Sequence, residues 1–250
     1  LSWMHERHGW QLQKDWLVFC TGVVPALNMA IQAFTRPGGG VIIQQPVYYP
    51  YLRSILANGR RIVNIPLRLS DGRYEMDFDD LSRKARDPDV SLMILCSPHN
   101  PVGRVFQRQE LERMADICLR HGVVICSDEI HCDLVFQGSR HVPMASLSPE
   151  VAAQTITLIA PSKTFNVAGL KCAAAIIENA ELRDRFCAAR AGMVGGANIM
   201  GYIAAMAAYR GGRPWLDQLL RYLEGNRDLL LQYAAEHLPG GGGVARPQGV

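Results

Sequence analysis

Lys163 follows an apolar run in LIAPSKTFNVAGLK (158–171), with Ser162, Thr164 and Gly169 close by and few charges nearby. At the end of a buried strand, burial disfavours the charged form of an amine. A neutral amine can form a Schiff base with an aldehyde. The ordinary alternative is a lysine that snorkels to the surface. Asp128 and Glu129 close a second apolar run, GVVICSDE (122–129), where a carboxylate is costly unless it meets a cation or a strong donor. A protonated pyridine nitrogen is one such partner; a nearby arginine or lysine is another. A third is a metal held by Asp128, Glu129, His131, Cys132 and Asp133. Adjacent strand residues face opposite ways, which argues against that cluster, and no metal is expected.

Three weaker signals accompany these. NPVG (100–103) is a turn, Asn–Pro followed by Gly. TGVVPALNMAI (21–31) opens a helix, with Pro25 suited to its first turn. Free backbone N–H groups there make a phosphate cradle, although most such helix starts bind nothing. QQPVYYPY (44–51) offers tyrosines that can stack on a flat ring, and surface tyrosines in such a turn are equally ordinary.

Alternating elements must position these residues. Runs at 39–45, 60–67, 90–97, 122–129, 155–162 and 170–177 read as strands. Several are continuously apolar, as expected of strands covered on both faces. Helices are expected at 24–35, 47–58, 77–86, 107–120 and 179–190, with a long helical region at about 198–237. The pattern predicts an α/β fold: three layers, a mostly parallel sheet flanked by helices. Ligands in such folds collect at the carboxyl ends of strands, where CSPHNPVG, SDEIH and APSK all stand. Residues 1–237 read as one large domain. The Gly/Pro cluster LPGGGGVARPQG (238–249) reads as a linker, so that 238–250 begins a second domain.

Composition excludes several function classes. With 48 % hydrophobic and 20 % charged residues, the 250-residue chain reads as soluble and globular. A net charge of +3 with scattered arginines does not make a nucleic-acid surface. No stretch approaches the roughly 20 apolar residues of a membrane span, and no signal-peptide pattern opens the chain. Seven cysteines without a CxxC, placed in apolar runs, predict buried, reduced thiols and a cytoplasmic protein. The chain starts without Met and stops at ARPQGV in mid-pattern, which predicts a piece of a longer protein.

An amine, a buried carboxylate, a phosphate cradle, an aromatic platform and an asparagine are together what pyridoxal 5′-phosphate needs. The chain resembles the fold-type I pyridoxal-phosphate enzymes of the class I/II aminotransferase superfamily. Within it the likeness is to the MalY/PatB-type cystathionine β-lyases. ERHGWQLQKDWLVFCTGVVPAL, QPVYYPY, CSPHNPVGRVF, SDEIHCDLVF, APSKTFNVAGLK and PWLDQLLRYLEGNRDLL carry the likeness over essentially the whole chain. It implies that Lys163 binds the cofactor's aldehyde and shuttles protons, and that Asp128 partners the pyridine nitrogen. Asn100 would donate to the 3′-oxygen. The backbone of Gly22, Val23 and Val24, with Ser162 and Lys171, would hold the phosphate. Tyr48 would stack on the ring and Tyr49 assist the lyase chemistry.

The chain also departs from the wider superfamily. His131 stands where many members place a tyrosine bonded to the 3′-oxygen, and the DEIH form is typical of the lyase branch. Lys171 replaces a frequent arginine, which keeps the charge and loses the bidentate fork. Ala160 replaces a phosphate-binding serine of some relatives. The substrate-carboxylate arginine is expected beyond RPQGV, and an N-terminal segment before Leu1. The likeness implies β-elimination from cystathionine or a related cysteine S-conjugate, releasing a thiol, pyruvate and ammonia. It also implies a homodimer with an amino-acid substrate. An aminotransferase, a secondary-metabolism lyase or deaminase, and a regulatory binding protein on the same fold are the alternatives.

Overall fold

A computed structural model describes residues 1–190, 192, 194–238 and 244–249. The chain opens with α1 (Ser2–His8), β1 (Leu17–Cys20), α2 (Val23–Phe34), β2 (Gly40–Ile43), α3 (Pro50–Ala57) and β3 (Arg61–Asn64). A hairpin of β4 (Arg68–Ser70) and β5 (Arg73–Glu75) leads to α4 (Phe78–Ala85). Then come β6 (Val90–Cys96), α5 (Arg108–Arg120), β7 (Val124–Asp128), α6 (Pro149–Ala153), β8 (Thr155–Ile159) and α7 (Pro161–Thr164). β9 (Ala173–Ile176), α8 (Ala180–Arg190), α9 (Ile199–Gly211) and α10 (Arg213–His237) complete the order.

Seven strands form one sheet in the order β1-β9-β8-β7-β6-β2-β3. β9 runs antiparallel to both its neighbours, and the remaining pairs are parallel. Strand side chains alternate between two cores, as the pleat requires. In β6, Leu92, Ile94 and Cys96 enter the core shared with α2, α3 and α8. Met93 and Leu95 enter the one shared with α4 and α5. Both faces are therefore covered, which explains the continuous apolar runs and gives the three layers expected.

The structure corrects several boundaries. The run 155–162 is strand only to Ile159, because Pro161 starts α7 and Lys163 lies on that short helix. The region 198–237 is two helices meeting at Gly212. β1 and the β4–β5 hairpin are additions to the expected strands. Six cysteines are buried as expected, whereas Cys187 is exposed on α8. Among the described residues no helix is long and apolar enough to cross a membrane.

Part of the expected linker, residues 239–243, lies outside the described residues. Beyond it, Gln248 stitches two loops together. Its N–H donates to Gly103 O at 2.7 Å, and its carbonyl accepts Phe136 N–H at 2.9 Å. Its Oε1 accepts from Arg104 Nη1 at 2.8 Å and from Val105 N at 3.1 Å.

Candidate active site

The carboxyl ends of β6, β7 and β8 open into one cavity of about 390 Å³, joined there by the start of α2. Gly22, Val23, Val24, Tyr48, Asn100, Asp128, His131, Ser162, Lys163 and Lys171 all line it. Residues up to 150 positions apart in sequence thus face a single space. Tyr49 does not line it. Its side chain is 61 % exposed, with the Arg53 guanidinium 4.9 Å from its ring centre.

Asp128 ends β7 and is 4 % exposed. Its Oδ2 accepts from Tyr51 Oη at 2.7 Å and its Oδ1 from Ile130 N at 3.1 Å. Burial pushes its carboxyl up to about 6, held back by those two donors and by the Lys163 charge, while neighbouring Glu129 pushes it further up. His131 is also buried, and its Nδ1 finds no hydrogen-bond partner in the protein. Burial, helped by the charge on Lys163, pushes its imidazole down to about 4.

Lys163 is exposed where burial was expected. Pro161 turns the chain out of the sheet one residue after Ala160, and the first turn of α7 carries the amine to the cavity wall. Two residues downstream of it adopt the left-handed conformation: Asn166 at φ 55° and Lys171 at φ 51°. Asparagine tolerates that region, but lysine rarely adopts it, so the surrounding structure must hold Lys171 there. At the opposite wall α2 begins at Gly22 with no side-chain cap, which leaves its first N–H groups facing a cavity rather than a capping oxygen. Thr21, Tyr51, Cys96, Ile130, Ala168 and Cys172 line the cavity as well and were not singled out in the sequence. Tyr51 was legible: it stands four positions before Ile55 on the buried face of α3.

The other acids near β7 face elsewhere. Glu129 is fully buried and accepts from Ser127 Oγ, His141 Nε2 and Met144 N, each at 2.8 Å. Asp133 accepts from Trp3 Nε1 at 3.1 Å, Arg7 Nε at 3.0 Å, His8 Nε2 at 3.0 Å and Thr164 Oγ1 at 3.2 Å. His8, Cys132 and Asp133 bring potential metal ligands within 4.8 Å of one another. The Asp133 oxygens are already taken by those donors, and burial holds the Cys132 thiol well above its ordinary pKa.

The cavity suits pyridoxal 5′-phosphate by the chemistry of its walls. It is of the size of small-molecule sites. It presents a primary amine, a buried carboxylate with no cation in contact, an unpartnered imidazole nitrogen, an aromatic face at Tyr48 and an uncapped helix start.

The family model described as aminotransferase class I and II matches residues 1–244. Cystathionine beta-lyase PatB of Bacillus subtilis (strain 168) is 47 % identical over 240 residues, which are 95 % of this chain and 62 % of the relative. The crystal structure of OvoB superposes with a TM-score of 0.94 at 43 % identity, covering 99 % of this chain and 65 % of that one. Cystalysin from Treponema denticola, whose structure contains a pyridoxal 5′-phosphate cofactor, superposes with a TM-score of 0.94 at 39 % identity. That match covers 96 % of this chain and 61 % of the other. The chain spans about three fifths of the length of the curated relatives it matches.

Proposed function

The chain belongs to the class I and II aminotransferase family, and from that premise we propose that it is the cofactor-binding part of a carbon–sulfur β-lyase. The enzyme uses pyridoxal 5′-phosphate to cleave cystathionine or a related cysteine S-conjugate, with water, to a thiol, pyruvate and ammonia. One observation carries the reading: Asp128 at the end of β7 and Lys163 on the short helix after β8 face the same cavity, in a chain 47 % identical to a cystathionine β-lyase.

When bound, the cofactor supplies an aldehyde for the substrate's amine and a ring that draws electrons from its Cα. Lys163 would hold the cofactor through its amine and would take the substrate's Cα proton. Asp128 would keep a proton on the ring nitrogen. Asn100 and His131 would bind the 3′-oxygen, and Tyr48 would stack on the ring. The first N–H groups of α2, with Ser162 and Lys171, hold the phosphate. Tyr49, whose ring centre lies 5.7 Å from that of Tyr48, assists departure of the thiol. The working protein is a cytoplasmic homodimer. Six buried thiols support the compartment, and exposed apolar residues on α9 and α10, among them Ile199, Met206, Leu229 and Leu230, support the dimer. Residues 1–237 form the cofactor domain, and 238–250 lead into a second one.

Purified protein mixed with the cofactor should develop a visible absorbance band. It should then release pyruvate from cystathionine without any added 2-oxo acid. The name of the matching family model favours a second reading, an aminotransferase. Under that reading keto-acid product forms only when a 2-oxo acid acceptor is present. Absence of the visible band would count against both.

A further inference from the structure

Tyr51 has no part in the roles above, although it is the side chain hydrogen-bonded to Asp128. It lies in the first turn of α3 within an otherwise apolar cluster and is 0 % exposed. A buried hydroxyl is costly without a partner. The partner here is Asp128 Oδ2, 2.7 Å away, a distance typical of a charge-assisted bond. With Ile130 N–H on Oδ1, each oxygen of the carboxylate has one donor, which fixes the plane of the group. Both Tyr51 and Asp128 line the cavity, so the bond sits at its wall.

Building on the proposed function, we infer that Tyr51 is a positioning residue that holds Asp128 ionised and aimed at the cofactor's ring nitrogen before the cofactor arrives. The other groups around Asp128 do not substitute for it. Glu129 beside it, the Cys96 thiol on β6 and the Cys126 thiol on its own strand offer no charge that would favour a carboxylate. His131 is held neutral by burial. Tyr48 makes no hydrogen bond to Asp128. Lys163 from α7 also favours the ionised form, but only through space, since it makes no hydrogen bond to Asp128. That leaves one backbone N–H and the Tyr51 hydroxyl as the direct supports.

The test is a ¹³C NMR titration of the Asp128 carboxyl in protein stripped of cofactor, comparing the parent with Tyr51→Phe. A hydrogen bond to a charged group is strong enough that its loss should raise the Asp128 midpoint by about one unit or more. Affinity for added pyridoxal 5′-phosphate should fall about fivefold more at pH 6 than at pH 8. Tyr48→Phe, which removes a hydroxyl from the same cavity without touching Asp128, should leave the midpoint in place. An unchanged midpoint in Tyr51→Phe overturns the inference. Should that variant fail to fold, 3-fluorotyrosine placed at position 51 donates more strongly and should lower the midpoint, and no movement there is equally decisive. A parent protein that develops no visible band with the cofactor defeats the proposed function, while the cofactor-free titration still judges Tyr51.

Discussion

Asp128 and Glu129 are neighbours in the chain, both buried, and they sit in opposite electrostatic worlds. Glu129 turns away from the cavity and meets three donors, Ser127, His141 and the Met144 N–H. Asp133, one turn further on, is saturated in the same way by Trp3, Arg7, His8 and Thr164. Asp128 turns towards the cavity and has only two donors, so burial leaves its carboxyl at about 6. The saturated acids fasten segments to one another: Asp133 ties α1 to α7, and Glu129 ties β7 to the loop bearing Met144. The under-supplied acid is the one left with capacity for a ligand. A buried carboxylate short of donors is the better pointer to chemistry, and a fully bonded one to architecture.

The largest effects should come from the cavity side. Asp128→Asn or Lys163→Ala should lower pyruvate formation from cystathionine by roughly 10²–10⁴-fold, with little change in the denaturant midpoint. If either variant kept near-parent turnover, the division between working and fastening groups would fail. On the saturated side the expectation reverses. Asp133→Asn breaks a buried network and should cost about 3–5 kcal/mol in urea unfolding, while the folded fraction still binds the cofactor. A stable Asp133→Asn protein that had lost cofactor binding would place Asp133 among the working groups instead.

A finer distinction lies in pH. The folded-state value of about 6 for Asp128 is above its ordinary 3.8, so its contribution to stability is complete below 3.8 and lost as pH rises through 6. His131, at about 4 against an ordinary 6.5, contributes fully above 6.5 and loses that contribution as pH falls through 4. Between these limits the two slopes oppose each other at about 1.4 kcal/mol per pH unit each. Removing Asp128 should therefore make stability fall more steeply on acidification than in the parent, and His131→Asn should do the reverse. Urea unfolding at several values from pH 4.5 to 6 reads the difference, and parallel curves for parent and both variants would refute the pairing. The smallest effect belongs outside the cavity: Tyr49→Phe should leave cofactor affinity in this chain unchanged, within about twofold.

Much of this is legible in the sequence. The continuous runs of β6, β7 and β8 announce strands covered on both faces, and the acids and amine at their ends announce a site. β1 was harder to see because it has four residues, an exposed Phe19 and a partner, β9, more than 150 positions away. The β4–β5 hairpin has almost no buried side chain to mark it. Lys163 is hard to place for a different reason. An apolar run shows where the sheet is, and only the proline after Ala160 tells where the chain leaves it. The separation of Asp128 from Glu129 follows from strand pleating alone, but the donor count of each depends on loops that periodicity does not describe.

Gln248 has a consequence of a mechanical kind. Its four hydrogen bonds rivet a late segment of the chain across the turn carrying Asn100 and the loop that follows Asp133. Tension along that segment would be delivered to those two loops before it reached the sheet. The turn that brings Asn100 to the cavity and the loop beyond Asp133 therefore share a single lever arm, and its fulcrum is a neutral residue that does not line the cavity.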